Sequence, residues 1–432
     1  MNSKLTAING VHLSNPNPIV AVNKRGISGR YTTQILNDIM QKMRRLLLLL
    51  SVAVLVGCSM PILNNGGTDD PAVSTPARLV QVDSLGWIGP DTTYANHRTP
   101  DFSVGTSEPI RLNFFGWSAD DDYRFHLQFP EDNHLFGLAQ LSYTMCAWGD
   151  GPADWDMTTL IMVHNKQTGE WQEISRCITP YGGYFDSQWS RTYYINVTEF
   201  LPILTGDTEF RIFYCGWDAT DAKAHAVSLR FDFYHQVNPY GTPAWQAKIY
   251  DSTVDGGNTG YRSWAYGVQP DSLGTNHSIE TDERLGLRTL QIPAGTKKVL
   301  FRVCFTGHGQ DALTGAKGTF PGRTGYRANN PAEFDENFYT IRLNGEPLAQ
   351  RGHVWEINKN NYKQAGTYKY NRCGWGPGKP CNVQHWLLTQ IPPEGETITL
   401  DFDLDEYISK NTSPRAESVA QFYVEVDAFG YR

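Results

Sequence analysis

From about residue 100 onward the apolar and polar positions alternate with a period of two, not 3.6. The stretches 159–164, 171–178, 192–197, 209–215 and 226–233 combine that alternation with Val, Ile, Tyr and Phe, and predict strands. The polar run Asn165-Lys166-Gln167-Thr168-Gly169 predicts a hairpin loop between the first two. A second group of strands is predicted over 288–292, 298–306, 338–343, 397–404 and 419–428. No amphipathic helix of ten or more residues is expected beyond Cys58. Asn238-Pro239-Tyr240-Gly241-Thr242-Pro243 is rich in turn formers and separates the two groups. The expectation is therefore an all-β chain of two adjacent jelly-roll (β-sandwich) domains, spanning 101–238 and 244–432. A Gly- and Pro-containing loop over 307–331 interrupts the second, and long loops in compact β domains commonly carry function.

Upstream the pattern changes. Met43-Arg44-Arg45, the apolar run 46–56 and then Leu55-Val56-Gly57-Cys58 have the order of a secretory signal whose cysteine is lipidated after cleavage. The apolar run is too short to read as a membrane-spanning helix. Residues 1–57 are thus expected to be an upstream extension and lipoprotein signal peptide, with Cys58 the lipidation site. Residues 58–100, rich in Asn, Gly, Asp, Pro, Ser and Thr, read as a lipidated tether. The implied location is the outer membrane or cell surface of a Gram-negative bacterium, with the lipid anchor as the membrane contact.

Cleavage before Cys58 would leave 375 residues carrying 30 basic and 44 acidic side chains, a formal balance of −14. That excludes the clustered cations on which nucleic-acid binding depends. The chain has 12% aromatic against 19% charged residues, with 12 Trp and 22 Tyr, a composition suited to stacking on sugar faces as well as to core packing. Of the cysteines other than Cys58, only Cys373 and Cys381 are spaced to suggest a disulfide, and no CxxC or Cys/His zinc spacing occurs, so no metal is expected.

Several segments resemble the peptide-N-glycosidase F family, in order and at matching distances. In the first half these are Phe129-Pro130, Asp154-Trp155-Asp156, Asn165 to Trp171 and Ile178-Thr179-Pro180-Tyr181. In the second half they are Gly307-His308-Gly309, Ala332-Glu333-Phe334, Thr340 to Asn344 and Arg372-Cys373-Gly374-Trp375. The resemblance implies two eight-stranded jelly rolls side by side, with an active site in the cleft between them. It also implies an amidase that hydrolyses the bond between asparagine and the innermost GlcNAc of N-linked glycoproteins or glycopeptides. The enzyme would act as a monomer and without a cofactor.

Carried over position by position, Asp156 matches the principal catalytic carboxylate and Glu333 a second acidic residue that holds water and sugar. Amide hydrolysis needs a base to activate water and an acid to protonate the leaving amine, which a carboxylate pair can supply. Arg372, Trp217, Trp375, Trp155 and His308 match substrate-binding positions. Read from the residues alone, the alternatives are a turn-stabilising Asp156, a surface Arg372, and core packing for the tryptophans and His308. Cys215 stands where the family has a further acidic residue, Met157 where it has a basic one, and Pro152 and Asp335 where it has cysteines. The competing reading is a glycan-binding lipoprotein of the same fold with weak or no catalysis. Copper chemistry is disfavoured because no HH or HxH pair occurs, and a serine hydrolase because no GxSxG does.

Overall fold

The structure is a computed structural model. It describes residues 79–82, 87–90, 98–113, 123–214, 216, 219–238, 240–251, 268–270, 276–278, 285–308, 333–334, 336–347, 351–392, 396–404 and 421–432. The expected signal peptide, its Cys58, and positions Cys215 and Trp217 lie outside the described residues, as does most of the 307–331 loop.

Four antiparallel sheets form the body. The first runs Trp87–Pro90, Ser190–Asn196, Phe136–Gly149, Lys223–His235 and Phe102–Gly105, with Ile110–Arg111 also on Lys223–His235. The second runs Lys379–Pro380, Glu170–Ile178, Thr158–Asn165, Asp207–Tyr214 and Tyr123–Gln128. Their inward-alternating residues, Leu141, Tyr143 and Phe231 from one and Ile161, Val163 and Phe210 from the other, enclose one core. This is the sandwich solution to burying one face of each sheet.

The third sheet runs Leu79–Val82, Val383–Leu388, Lys298–His308, Gln421–Tyr431 and Pro243–Tyr250. The fourth runs Arg288–Gln291, Thr397–Leu404, Asn337–Leu343 and Glu346–Pro347, with Gly352–Val354 also on Asn337–Leu343. A second core of Phe301, Phe305, Tyr339, Trp386 and Phe402 lies between them. The chain is a β-sandwich protein, as its periodicity predicts.

The expected tether is corrected in part: Leu79–Val82 is a strand on Val383–Leu388, and Trp87–Pro90 pairs with Ser190–Asn196. Runs of four residues among turn formers carry little local signal, and their ladders come from partners distant in sequence. The strand Pro243–Tyr250, also not predicted, starts on a proline at the edge of its sheet, where a missing N–H costs no ladder bond. The Cys373–Cys381 disulfide is not formed. Cys373 packs into the second core, whereas Cys381 packs with Ile178, Cys304 and Trp375, and neither is in a disulfide.

The second and third sheets meet through charged side chains. Opposite Ile161 and Met162 stand Ser175 and Glu173, so Ile174 is the extra residue of a β-bulge. The bulge puts Glu173 and Arg176 on one face, where Arg176 Nη2 donates to Glu173 Oε2 at 2.6 Å. Arg176 Nη1 also reaches Thr306 Oγ1 (2.7 Å) and Tyr423 O (3.0 Å) on the third sheet. In the other direction Arg302 donates to Glu173 O (3.2 Å) and Ile174 O (3.3 Å), and lies 3.7 Å from Glu199 and 3.9 Å from Asp427. All of these side chains are buried.

Candidate active site

The loop following Gly151 places Asp156. Thr179, one residue past the strand Glu170–Ile178, holds it from both sides: its hydroxyl donates to Trp155 O (3.1 Å) and accepts from Met157 N (2.8 Å), while its own N–H bonds Met157 O (2.9 Å). The chain then turns through Gly182, where an added Cβ would stand 1.9 Å from Ala153 O. Only glycine lets the two segments approach this closely. The result is a carboxylate whose orientation is fixed by backbone bonds on each neighbour.

The second half supplies the opposing wall. Tyr181 N donates to Gln364 Oε1 (3.1 Å), and Gln364 Nε2 donates to Pro377 O (2.9 Å), tying residues 364–377 to the Asp156 side. Gly366, with a φ of +64°, lies against the Tyr181 ring, where a Cβ would come within 2.7 Å of it. Cys373 N donates to Glu333 O (2.9 Å) and thereby sets the Glu333 backbone beside Arg372.

Arg372 is the hub. Its Nε donates to Glu333 Oε1 (3.2 Å), its Nη1 to Thr367 O (3.1 Å) and Tyr370 O (2.9 Å), and its Nη2 to Tyr181 OH (3.1 Å) and Thr367 Oγ1 (2.9 Å). Asp156 Oδ2 lies 3.6 Å from Nη2. The guanidinium lies over the rings of Trp375 (4.6 Å) and Phe334 (4.9 Å). A guanidinium has five N–H donors, and each has an acceptor here.

Asp156 and Glu333, with side chains 11% and 16% exposed, therefore flank one buried cation while keeping an opening to solvent. Burial raises the Glu333 pKa, Arg372 opposes the shift, and Asp156 adds to it, leaving Glu333 at about 7. Burial, then the Asp156 charge, holds the Tyr181 phenol above its ordinary value, so it stays neutral. The arrangement offers a carboxylate of fixed orientation and a carboxylic acid that keeps its proton close to neutrality, the division of labour that acid–base hydrolysis uses.

The structure thus brings together Asp156, Glu333, Arg372 and Trp155. Trp155 is 49% exposed, beside Asp156 and edge-on to Tyr181 at 6.4 Å. Three expected substrate contacts are placed differently. Arg372 has no exposed surface and no donor left for a ligand, so it is a clamp between the acids instead of a substrate ligand. Trp375 is 4% exposed, stacks on Arg372 and donates from Nε1 to Gly307 O (2.7 Å). His308 is buried behind it, parallel to the Trp375 ring at 5.4 Å and bonded to Thr306 Oγ1. Burial, then the nearby Arg176 and Arg372, drives the His308 pKa well down and keeps it neutral. Tyr181, Thr367 and Phe334 were assigned no role from sequence. Tyr181 and Phe334 do stand in the quoted motifs, but Thr367 carried no signal. Among the described residues no group of His, Cys, Asp and Glu is arranged to hold a metal ion.

No family model matches the chain. A curated relative, the peptide-N(4)-(N-acetyl-beta-D-glucosaminyl)asparagine amidase F of Elizabethkingia miricola, is 29% identical over 265 residues, 60% of this chain. The match spans 65% of that relative, less than two thirds of its length. The solved structure of PNGase F from Flavobacterium meningosepticum, described as a glycosylasparaginase, aligns with a TM-score of 0.57 at 20% identity, covering 76% of this chain and 95% of the other. PNGF-II aligns with a TM-score of 0.51 at 16% identity, covering 77% and 66%. These likenesses establish a shared β-sandwich fold.

Proposed function

We propose that the protein is a peptide-N-glycosidase, an amidase that hydrolyses the asparagine–GlcNAc amide of N-linked glycoproteins or glycopeptides and releases the glycan. The observation that carries this reading is the pair Asp156 and Glu333 on one buried arginine, each side chain partly exposed. Asp156 takes a proton from water as its oxygen bonds to the amide carbon. Glu333 gives its proton to the nitrogen as the C–N bond breaks. The products are aspartate and a glycosylamine, and solvent returns the two carboxyls to their starting protonation. Trp155 offers the innermost sugars a stacking face.

The similarity to amidase F of Elizabethkingia miricola, 29% identical over 265 residues, supports the assignment. The experiment is glycan release from a denatured glycoprotein, read by mass shift. Asp156→Asn keeps the side-chain shape but cannot act as a base, and is expected to abolish release while leaving the unfolding transition unchanged. Full release by that variant would remove Asp156 from the mechanism. Binding of glycopeptide by the unaltered protein without any release would favour a glycan-binding protein of the same fold.

We propose further that the sandwiches are two adjacent domains, 101–238 and 244–432, of a monomeric lipoprotein anchored through Cys58. The ordered signal from Met43 to Cys58 supports the anchor. Cys58→Ala should move the protein out of the membrane fraction.

A further inference from the structure

The strand Lys223–His235 turns Val227, Leu229, Phe231 and Phe233 into the first core, and the same alternation carries His225 inward near its start. The histidine is wholly buried, yet among the described residues neither ring nitrogen completes a hydrogen bond. A buried polar group left in that state costs stability, so an apolar residue would serve the fold better. Positions that break such a rule are commonly functional.

His225 lies behind the loop that carries Asp156. Ala224 N donates to Gly151 O (3.2 Å), and Gly151 is bridged to Lys223, so the residues leading from Gly151 to Ala153 pass beside the start of the strand. Burial drives the His225 pKa down to about 3, and the Ala153 backbone opposes that shift, which puts an acceptor near the ring without a completed bond. The imidazole is therefore neutral, with one N–H to give. From the other side Trp189 meets the His225 ring edge-on at 6.2 Å and is itself stacked on Phe185 at 4.9 Å. Phe185 N donates to Gly182 O (2.9 Å), and Gly182 is the residue against which Ala153 O rests. His225 thus backs both segments that set Asp156. Hydrogen bonds that serve catalysis are often poorly aligned until substrate is bound, so an incomplete bond here is compatible with use.

We propose that His225 is a positioning residue: its N–H steers the Ala153 carbonyl, and with it the Ala153–Asp156 segment, into the reacting geometry. It rests on the amidase reading of Asp156. The test compares His225→Phe with the parent, as full chains, in glycan release, urea unfolding and amide hydrogen exchange. Phenylalanine keeps a ring against Trp189 and removes the N–H. The kcat should fall about tenfold with KM within about twofold of the parent, while the urea midpoint stays level or rises because the unbonded nitrogens are gone. Exchange at the Met157 and Thr179 amides, whose bonds close the Asp156 loop, should speed up about tenfold. His225→Asn and His225→Gln put an amide near where Nδ1 and Nε2 stand, and at least one of them should regain the slow exchange and most of the kcat. An inactive parent would sink the amidase reading alone, since exchange still reports whether His225 holds the loop. The proposal is overturned if His225→Phe leaves loop exchange or the kcat of an active parent unchanged, or if its urea midpoint drops or it does not fold. It is equally overturned if neither amide variant restores the slow exchange.

Discussion

Arg372 lies over the rings of Trp375 and Phe334, its five donors are all engaged, and it lies against both acids, so its charge opposes the rise that burial gives the Glu333 pKa. Lysine keeps the charge but has three donors and no plane to stack. Arg372→Lys should therefore lower kcat/KM by about one to two decades, the equivalent of losing one charged hydrogen bond of ~1.5–3 kcal/mol in the transition state. A rate within threefold of the parent would show that the fork is dispensable. Glu333 gives a second expectation. Its pKa of about 7 against an ordinary 4.5 means that it is protonated on the acid side of neutrality and ionised above it. If it is the proton donor, kcat/KM should fall above about pH 7, and Glu333→Gln should be slow at every pH and lack that limb. The linkage sign also fixes a stability effect. A raised carboxyl pKa favours the folded state fully below about pH 4.5, and the advantage disappears as pH rises through 7, so urea midpoints should decline over that window more steeply in the parent than in Glu333→Gln. Sequence resemblance pointed to Asp156 and Glu333, which stand in short ordered motifs and lie on either side of Arg372. Arg372, Trp375 and His308 are buried, which resemblance could not show, because a motif marks which residues are near a site and says nothing of which way they face.

At the scale of elements, regular strands were legible and irregular ones were not. The prediction 397–404 coincides with the strand Thr397–Leu404, and 171–178 differs from Glu170–Ile178 by one residue. The strand Phe136–Gly149 escaped because Gly137, Ala139 and Ala147 dilute its alternation, although Leu141, Tyr143 and Met145 are wholly buried. The bulge at Ile174 was equally invisible, since only its cross-strand partners reveal the extra residue. Loop geometry around Asp156 depends on one contact that can be tested directly. A methyl group at Gly182 would stand 1.9 Å from Ala153 O, so the Ala153–Asp156 segment must move to admit it. Gly182→Ala is expected to cost ~1–3 kcal/mol of stability, in the range of overpacked positions, and to reduce turnover by at least tenfold through displacement of Asp156. Unchanged kcat with lowered stability would show that the loop absorbs the shift without moving the carboxylate.

Across the whole molecule, two sandwiches keep a fixed relation only if they cannot slide, and the contact between the second and third sheets is built to resist sliding. Apolar faces pack with little preference for register, whereas Arg302 must meet Glu173 O, Ile174 O, Glu199 and Asp427 at once. The network is rich in acid. Burial, then the neighbouring Glu425, pushes Asp427 well up, while Arg302 and Lys248 pull it back. Glu199 also faces His385 at 3.3 Å, and Glu425 lies 3.6 Å from Lys248. None of this could be read from sequence, because its members are distributed from Glu173 to Asp427 and none carries a motif. Replacing both sides of such a network by apolar groups can be neutral, but removing one partner leaves buried charge uncompensated. Arg302→Met does the second of these: it fills similar volume and strips the cation from Glu199 and Asp427. The expected loss is about 3–5 kcal/mol, measured by urea unfolding, together with weaker glycan release as the Asp156 and Glu333 sides lose their fixed relation. Adding Asp427→Asn removes one of the stranded carboxylates and should recover part of the stability. If instead the double variant is no more stable than Arg302→Met alone, the cost lies in the lost hydrogen bonds to Glu173 O and Ile174 O, and the two sheets are held by those bonds and not by charge.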